Sequence, residues 1–198
     1  SNIYATTRAA TKKGNMTLSA HAYATADRVD SQLDWRVDRE RGFYGNIDVS
    51  ADFMRQDADG ALSTLLHVNP TELVFNDTIW QVDPATIDIA GKRICINDFR
   101  VGRQGQYVSI NGCAGTEPDD SVVVSLRDVN LDYVFETLDI QTAMFGGVAT
   151  GDVYAIAALS SDPRMYTDRL DVAHLSYNHS LMGDTRIQSD WDNASRAV

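Results

Sequence analysis

Several features that mark common protein classes are scarce in this sequence of 198 residues. It contains two cysteines and four prolines, and no apolar run approaches the roughly 18 residues that a membrane-spanning helix needs. Basic residues are scarce too, since 17 Lys and Arg stand against 28 Asp and Glu, which gives a formal net charge of -11. The basic residues are also scattered rather than clustered, so the electrostatic signature of a nucleic-acid-binding protein is missing. We therefore expect no nucleic acid among its partners.

Sequence motifs of catalysis are missing as well. There is no Gly-x-Ser-x-Gly elbow, phosphate-binding loop, HExxH pair or dinucleotide-binding fingerprint. The stretch DADG at 57–60 resembles the start of a calcium loop but lacks the remaining ligands and the distal Glu. We expect a protein that is not an enzyme, with no catalytic residues, no metal site and no cofactor.

The two cysteines, Cys95 and Cys113, flank the segment RVGRQGQY at 100–107. If this segment forms a hairpin centred near Gln104, the two cysteines lie opposite each other on neighbouring strands. Both a disulfide bond and a contacting pair of free thiols are compatible with that placement. No His or further Cys stands at metal-binding spacing, so the pair does not predict a zinc site.

Alternation of apolar and polar residues is the strongest pattern in the chain, and it is clearest between residues 86 and 126. Such period-2 alternation is typical of β-strands with one apolar side. We predict that nine residues share an apolar face, which forms either a groove or a core: Ile87, Ile89, Ile94, Ile96, Val108, Ile110, Val122, Val124 and Leu126.

Four short stretches resemble one another, because each begins with Gly-Asn or Gly-Asp and then alternates. They start at Gly14, Gly45, Gly151 and Gly183. We expect each glycine to supply a turn with positive φ from which a strand departs. Repetition of this kind predicts an all-β fold of repeated antiparallel strands in an elongated or curved sheet, groove-like or sandwich-like.

One segment departs from the β pattern. In NLDYVFETLDI, residues 130–140, the apolar residues Leu131, Val134, Phe135 and Leu138 have the spacing of a helical stripe. We predict one short α-helix near 129–139 that covers one end of the apolar face, with the turn at Gly146-Gly147 returning the chain to the sheet.

We divide the chain into three segments: N-terminal β-repeats at 1–66, central strands with a hairpin at 67–128, and the helix, Gly-rich turn and C-terminal strands at 129–198. Because the sequence begins with Ser1-Asn2 rather than Met and stops directly after a strand-like stretch, we expect a fragment of a longer β-repeat protein.

Residues 67–193 resemble a known family. The stretches DVNLDYVFETLDI, FGGVATGDVYA and LDVAHLSYNHSLMGDTRIQSDWDN, with the block HVNPTELVFNDTIWQVDPATIDIAGKRICINDFRVGRQGQYVSINGCA before them, resemble the TamB (translocation and assembly module) and AsmA-like proteins of Bacteroidetes. The resemblance implies a periplasmic β-rich protein whose parent chain is anchored in the inner membrane. It also implies phospholipid transport between the membranes, assistance to outer-membrane protein assembly, or both.

The partners implied by this resemblance are phospholipid acyl chains, neighbouring β-repeats of the parent chain and an outer-membrane assembly protein. An open apolar face suits acyl chains, because each methylene removed from water contributes about 0.8 kcal/mol. The alternative is an extracellular or surface β-rich adhesin or glycan-binding module, which would use exposed tryptophans among Trp35, Trp80 and Trp191.

Overall fold

The computed structural model describes residues 1–11, 14–38, 43–56, 61–75, 77–137, 145–178 and 180–190. Within these residues the chain forms fourteen β-strands and one short α-helix, and all of the strand pairings described below are antiparallel. The predicted all-β class with a single short helix is confirmed.

The elements follow one another along the chain with the following bounds: β1 Asn2–Thr11, β2 Gly14–Ala24, β3 Arg28–Asp38, β4 Phe43–Gln56, β5 Ala61–Val68, β6 Thr71–Phe75, β7 Thr78–Val82, β8 Ala85–Ala90, β9 Arg93–Arg103, β10 Gln106–Ala114, β11 Ser121–Asn130, α1 Leu131–Thr137, β12 Phe145–Ile156, β13 Arg164–Tyr177 and β14 Ser180–Ser189.

The chain divides into two compact units, and each is described by itself. Unit 1 is Ser1–Arg103 and contains β1 to β9, whereas unit 2 is Gln104–Val198 and contains β10 to β14 with α1. This boundary differs from the divisions after residues 66 and 128 that the sequence suggested, and those divisions stay predictions.

Unit 1 is a meander in which neighbouring strands of the chain pair with each other. β1, β2, β3 and β4 pair in succession. β5 and β6 lie end to end along β4, and β7 and β8 lie end to end along β9. β5 pairs with β8, and β6 pairs with β7. β5 followed by β6 therefore acts as one long strand with an interruption, and β7 followed by β8 acts as a second.

A proline accounts for each interruption. The links are Asn69-Pro70 and Asp83-Pro84, and proline has no N–H to donate to a ladder. The residue before each proline still donates its own N–H to a strand on the outside of the two long strands. Asn69 N lies 2.9 Å from the carbonyl oxygen of Asp48 on β4, and Asp83 N lies 2.9 Å from that of Arg100 on β9. The outer ladders thus continue, while pairing between the two long strands stops at Val68 and resumes at Thr71.

Unit 2 is a second meander, in which β10 to β14 pair in chain order. Its ladders contain shifts of register, one of them between Leu126 and Val129 on β11. Asp128, inside that shift, has a φ of 48°, as expected of a β-bulge that accommodates an extra residue.

The glycine-turn prediction is wrong for three of the four repeated stretches. Gly14 begins β2, but Gly45, Gly151 and Gly183 lie inside β4, β12 and β14. Gly151 and Gly183 do have positive φ, 149° and 102°, yet they adopt it within strands. Glycine at these positions fits a strand irregularity or a close approach of backbones rather than a turn.

Burial alternates along β7, as a single apolar side requires. On β7, Trp80 and Val82 are 8% and 2% exposed, whereas Ile79 between Thr78 and Trp80 is 55% exposed. In unit 2 the buried cluster consists of Ala149, Val172 and Leu175. The buried apolar side chains of unit 1 lie on the same side as Trp80 and Val82, whereas Ser50 and Ser63 are buried on the other side.

Candidate apolar binding surface

The four predicted isoleucines of unit 1 lie side by side. Ile87 is opposite Ile96, and Ile89 is opposite Ile94, on β8 and β9. Directly opposed residues of an antiparallel pair project from the same face. All four are half-buried, so they share one face while part of each side chain stays open to solvent.

The predicted residues of unit 2 also come together. Val108 is opposite Leu126, and Ile110 is opposite Val124. Val122 is opposite Gly112. Val122 is buried and the other four are half-buried. Within unit 2 these side chains continue onto β12, where Val153 lies opposite Val124.

Register extends the isoleucine pair of unit 1 into a longer row that the sequence analysis did not identify. We call it the long apolar row; it crosses six strands, β2, β3, β4, β5, β8 and β9, and all its members are half-buried: Ala24, Val29, Ala51, Leu66, Ile87 and Ile96. The row could have been found in the sequence, because apolar and polar residues also alternate along β3 and β4. Alanine and serine at positions on the apolar face weaken this pattern.

On five of these strands, the residue next to the member of the long apolar row projects from the opposite face and is polar. Asp30, Ser50, His67, Thr86 and Asn97 are aligned there across β3, β4, β5, β8 and β9. Unit 1 thus has an apolar face, which carries the long apolar row, and a polar face, which carries this second row.

The tryptophans of unit 1 belong to the packing of the apolar face. Trp35 on β3 lies opposite Gly45 on β4. Leu73 on β6 lies opposite Gly45 on one side and Trp80 of β7 on the other. A Cβ on Gly45 would stand 2.6 Å from Cζ2 of Trp35, so the ring lies over this glycine. Trp80 is only 8% exposed, Trp35 is half-buried, and Trp191 lies outside the described residues.

The helix α1 begins where the sequence predicts an apolar stripe. Asn130 caps it, because Asn130 Oδ1 accepts a hydrogen bond from the backbone N of Tyr133 at 2.9 Å. Asp132 Oδ2 accepts a hydrogen bond from the backbone N of Gly147 at 3.1 Å. This contact ties the first turn of the helix to the start of β12.

One residue of the helix stripe has described packing. Leu131 packs against the buried cluster of unit 2, together with Leu126 and Leu170. Val134 is half-buried. The side chain of Phe135 and the whole of Leu138 lie outside the described residues, so the helix as a cover of the apolar face stays a prediction.

Both cysteines are disulfide-bonded. Cys95 lies on β9 and Cys113 on β10, and neither is a free thiol. Of the two states that the sequence left open, the bonded one is present.

A charged group in unit 2 joins β13 and β14. Arg186 Nε donates to Asp171 Oδ1 and Arg169 Nε donates to Asp171 Oδ2, each at 2.6 Å. The hydrogen bond from Arg186, followed by that from Arg169, holds the pKa of the Asp171 carboxyl below its usual 3.8. Asp171 lies opposite Arg186, so the group joins the two strands.

This group predicts a specific pH dependence. A carboxyl with a lowered pKa stabilises the folded state above its unfolded pKa, and the stabilisation is lost as the pH falls through the folded pKa. We expect stability to decrease below about pH 4, and Asp171→Asn to remove part of this decrease while leaving the slope above pH 5 unchanged. Urea denaturation between pH 2.5 and 7 measures both. Asp168→Asn, an exposed carboxylate on the same strand, is the control; equal effects of the two variants contradict the prediction.

Among the described residues, no three His, Cys, Asp or Glu side chains are grouped so that they could hold a metal ion. The described helix is also too short and too polar to cross a membrane. Comparisons of the chain with known family models, with curated proteins and with solved structures give no match.

Proposed function

We propose that this chain is a non-enzymatic segment of a TamB-like protein of the bacterial cell envelope. In this role the apolar face of each unit holds phospholipid acyl chains during their passage between the inner and outer membranes, in support of outer-membrane biogenesis. The periplasmic location, the inner-membrane anchor of the parent chain and the link to outer-membrane protein assembly are part of the same proposal, and they rest on the family resemblance.

The observation that carries the proposal is the long apolar row. Six apolar side chains stand in register across six strands, and each remains partly exposed. A closed core would cover such residues almost completely, because interior side chains interdigitate at high packing density. A partly exposed row leaves apolar surface for another apolar molecule to cover.

Acyl chains fit this surface on physical grounds. They have no hydrogen-bonding groups, so they need only apolar contact, and about 0.8 kcal/mol per buried methylene favours their transfer from water. A headgroup that stays in solvent needs no pocket of its own. Reactive side chains are unnecessary for such a role.

The proposal is tested by photocrosslinking in cells that express the parent protein. A photoreactive amino acid at Ile89, Ile96 or Ile110 is expected to form phospholipid adducts, identified by mass spectrometry of the purified protein. The matched controls are Asn97 and Ser109, which are the chain neighbours of Ile96 and Ile110 and project from the opposite faces. The controls are expected to give no lipid adducts.

Two outcomes contradict the proposal. Adducts with protein alone at all three isoleucine positions show that the apolar face is covered by polypeptide. Equal lipid labelling at the isoleucine and control positions shows that the faces do not differ in lipid contact.

The alternative of a glycan-binding module built on tryptophans is less compatible with the structure. A tryptophan platform for sugar rings needs exposed indole faces. Trp80 is buried on the apolar face and the half-buried Trp35 packs over Gly45, so these two tryptophans do not form such a platform.

A further inference from the structure

The polar face of unit 1 is interrupted by an apolar strip. Tyr44 on β4 lies opposite Val74 on β6, and Val74 lies opposite Ile79 on β7. Tyr44 and Ile79 are 46% and 55% exposed. Tyr23 and Met54 are also exposed on this face, and Tyr44, Val74 and Ile79 stand side by side across three strands.

A depression of about 650 Å³ lies over this strip. Most of its lining comes from two neighbouring rows of the polar face: Thr17, Arg36, Tyr44, Val74 and Ile79 in one row, and Ser19, Asp34, Asn46 and Glu72 in the other. It crosses β2, β3, β4, β6 and β7, and four strand spacings of ~4.8 Å give a length of about 19 Å. We call this depression the transverse trough.

Charged groups stand beside the apolar strip and are available to a ligand. Asp34, Arg36 and Glu72 are exposed, and none of them has a hydrogen bond or an ion pair with another residue in the part of the chain that the structure describes. Arg36 lies directly opposite Tyr44. The trough therefore offers an aromatic ring flanked by a planar donor and two acceptors.

This combination matches the chemistry of a sugar. A sugar ring has an apolar C–H face, which packs on an aromatic ring, and an edge of hydroxyl groups that donate and accept hydrogen bonds. Two carboxylates against one guanidinium give the trough a net negative charge, so a phosphate or an acidic sugar is disfavoured. We propose that the transverse trough binds a neutral oligosaccharide, with Tyr44 as the platform and Asp34, Arg36 and Glu72 as hydrogen-bonding partners.

An extended peptide fits the trough less well. Peptides that bind to sheets usually add a strand at an edge, where free backbone N–H and C=O groups are available. The trough instead lies on the surface of paired strands, where β3, β4, β6 and β7 already use these groups in their own ladders. Only side chains meet the ligand here, and they are of the type that binds hydroxyl groups.

The experiment uses the complete chain of 198 residues on an array of neutral and acidic oligosaccharides, followed by calorimetry with the best neutral ligand. We expect binding to at least one neutral oligosaccharide. Tyr44→Ala is expected to weaken it at least tenfold, Tyr44→Phe less than threefold, and Asp34→Asn with Glu72→Gln at least fivefold. Tyr23→Ala is the matched control, because Tyr23 is a 49% exposed tyrosine on the polar face outside the trough.

Several results overturn the proposal: no neutral ligand at millimolar concentration, binding of acidic sugars or peptides alone, or equal loss in Tyr44→Ala and Tyr23→Ala. Circular dichroism of each variant separates loss of the site from loss of the fold, and the isosteric pair Asp34→Asn with Glu72→Gln tests the site even if Tyr44→Ala unfolds. The site is on the face opposite the long apolar row, so lipid crosslinking and sugar binding succeed or fail independently.

Discussion

Val82→Asp is expected to lower the free energy of unfolding by about 4 kcal/mol, or to prevent folding. Val82 is 2% exposed on the apolar face of unit 1, opposite Thr71 on β6 and Val101 on β9. A carboxylate at this position loses its hydration without gaining an ionic partner, and the lost apolar contacts add to the cost. Urea denaturation followed by tryptophan fluorescence measures the change.

The matched control for Val82→Asp is Gln81→Asp, which places the same side chain on the next residue of the same strand. Gln81 is exposed, projects from the polar face and lies opposite Glu72, so we expect a cost of at most about 1 kcal/mol, from repulsion between the two exposed carboxylates. Similar destabilisation by the two variants would mean that β7 does not separate an apolar from a polar face, and the assignment of faces in unit 1 would be wrong.

Gly151→Ala is expected to cost about 3 kcal/mol, the second large effect. Gly151 has a φ of 149° inside β12, and an added Cβ would overlap the carbonyl oxygen of Arg169 and stand 2.8 Å from Cα of Leu170. These are backbone atoms of the paired strand β13, so they move only if the ladder shifts. Thermal and urea denaturation report the loss of stability.

Gly91→Ala separates the two sources of this cost. Gly91 also has a positive φ, 58°, but nothing lies within 4 Å of the position that its Cβ would occupy. This variant is expected to show only the backbone strain of about 1 kcal/mol. Equal costs at the two glycines would show that the close approach of β13 contributes nothing.

The predictable part of the fold is the part that depends on neighbours in sequence. Alternation around Ile87 and Ile96 predicted strands with one apolar side, and the structure places the two residues opposite each other. The helix was predictable for the same reason, because the spacing of Leu131 and Val134 is local. Its start at Leu131 follows from the cap supplied by Asn130.

The errors concern positions whose role depends on a distant strand. Gly151 was predicted in a turn because glycine readily adopts positive φ and an alternating stretch follows it, yet the constraint on it is the backbone of Arg169, which the local sequence does not reveal. The transverse trough was missed for a similar reason. Tyr44, Val74 and Ile79 become neighbours only through the register of β4, β6 and β7.

The meander of unit 1 also has a consequence for how the unit reaches its folded state. Each long strand pairs with the strands immediately before and after it in the chain, so ordering one hairpin closes only a short loop. Closing a short loop costs less chain entropy than closing a long one, so pairing of consecutive strands is favoured at each step. Formation of unit 1 is therefore expected to proceed as stepwise zippering, in which each completed hairpin provides the template for the next strand.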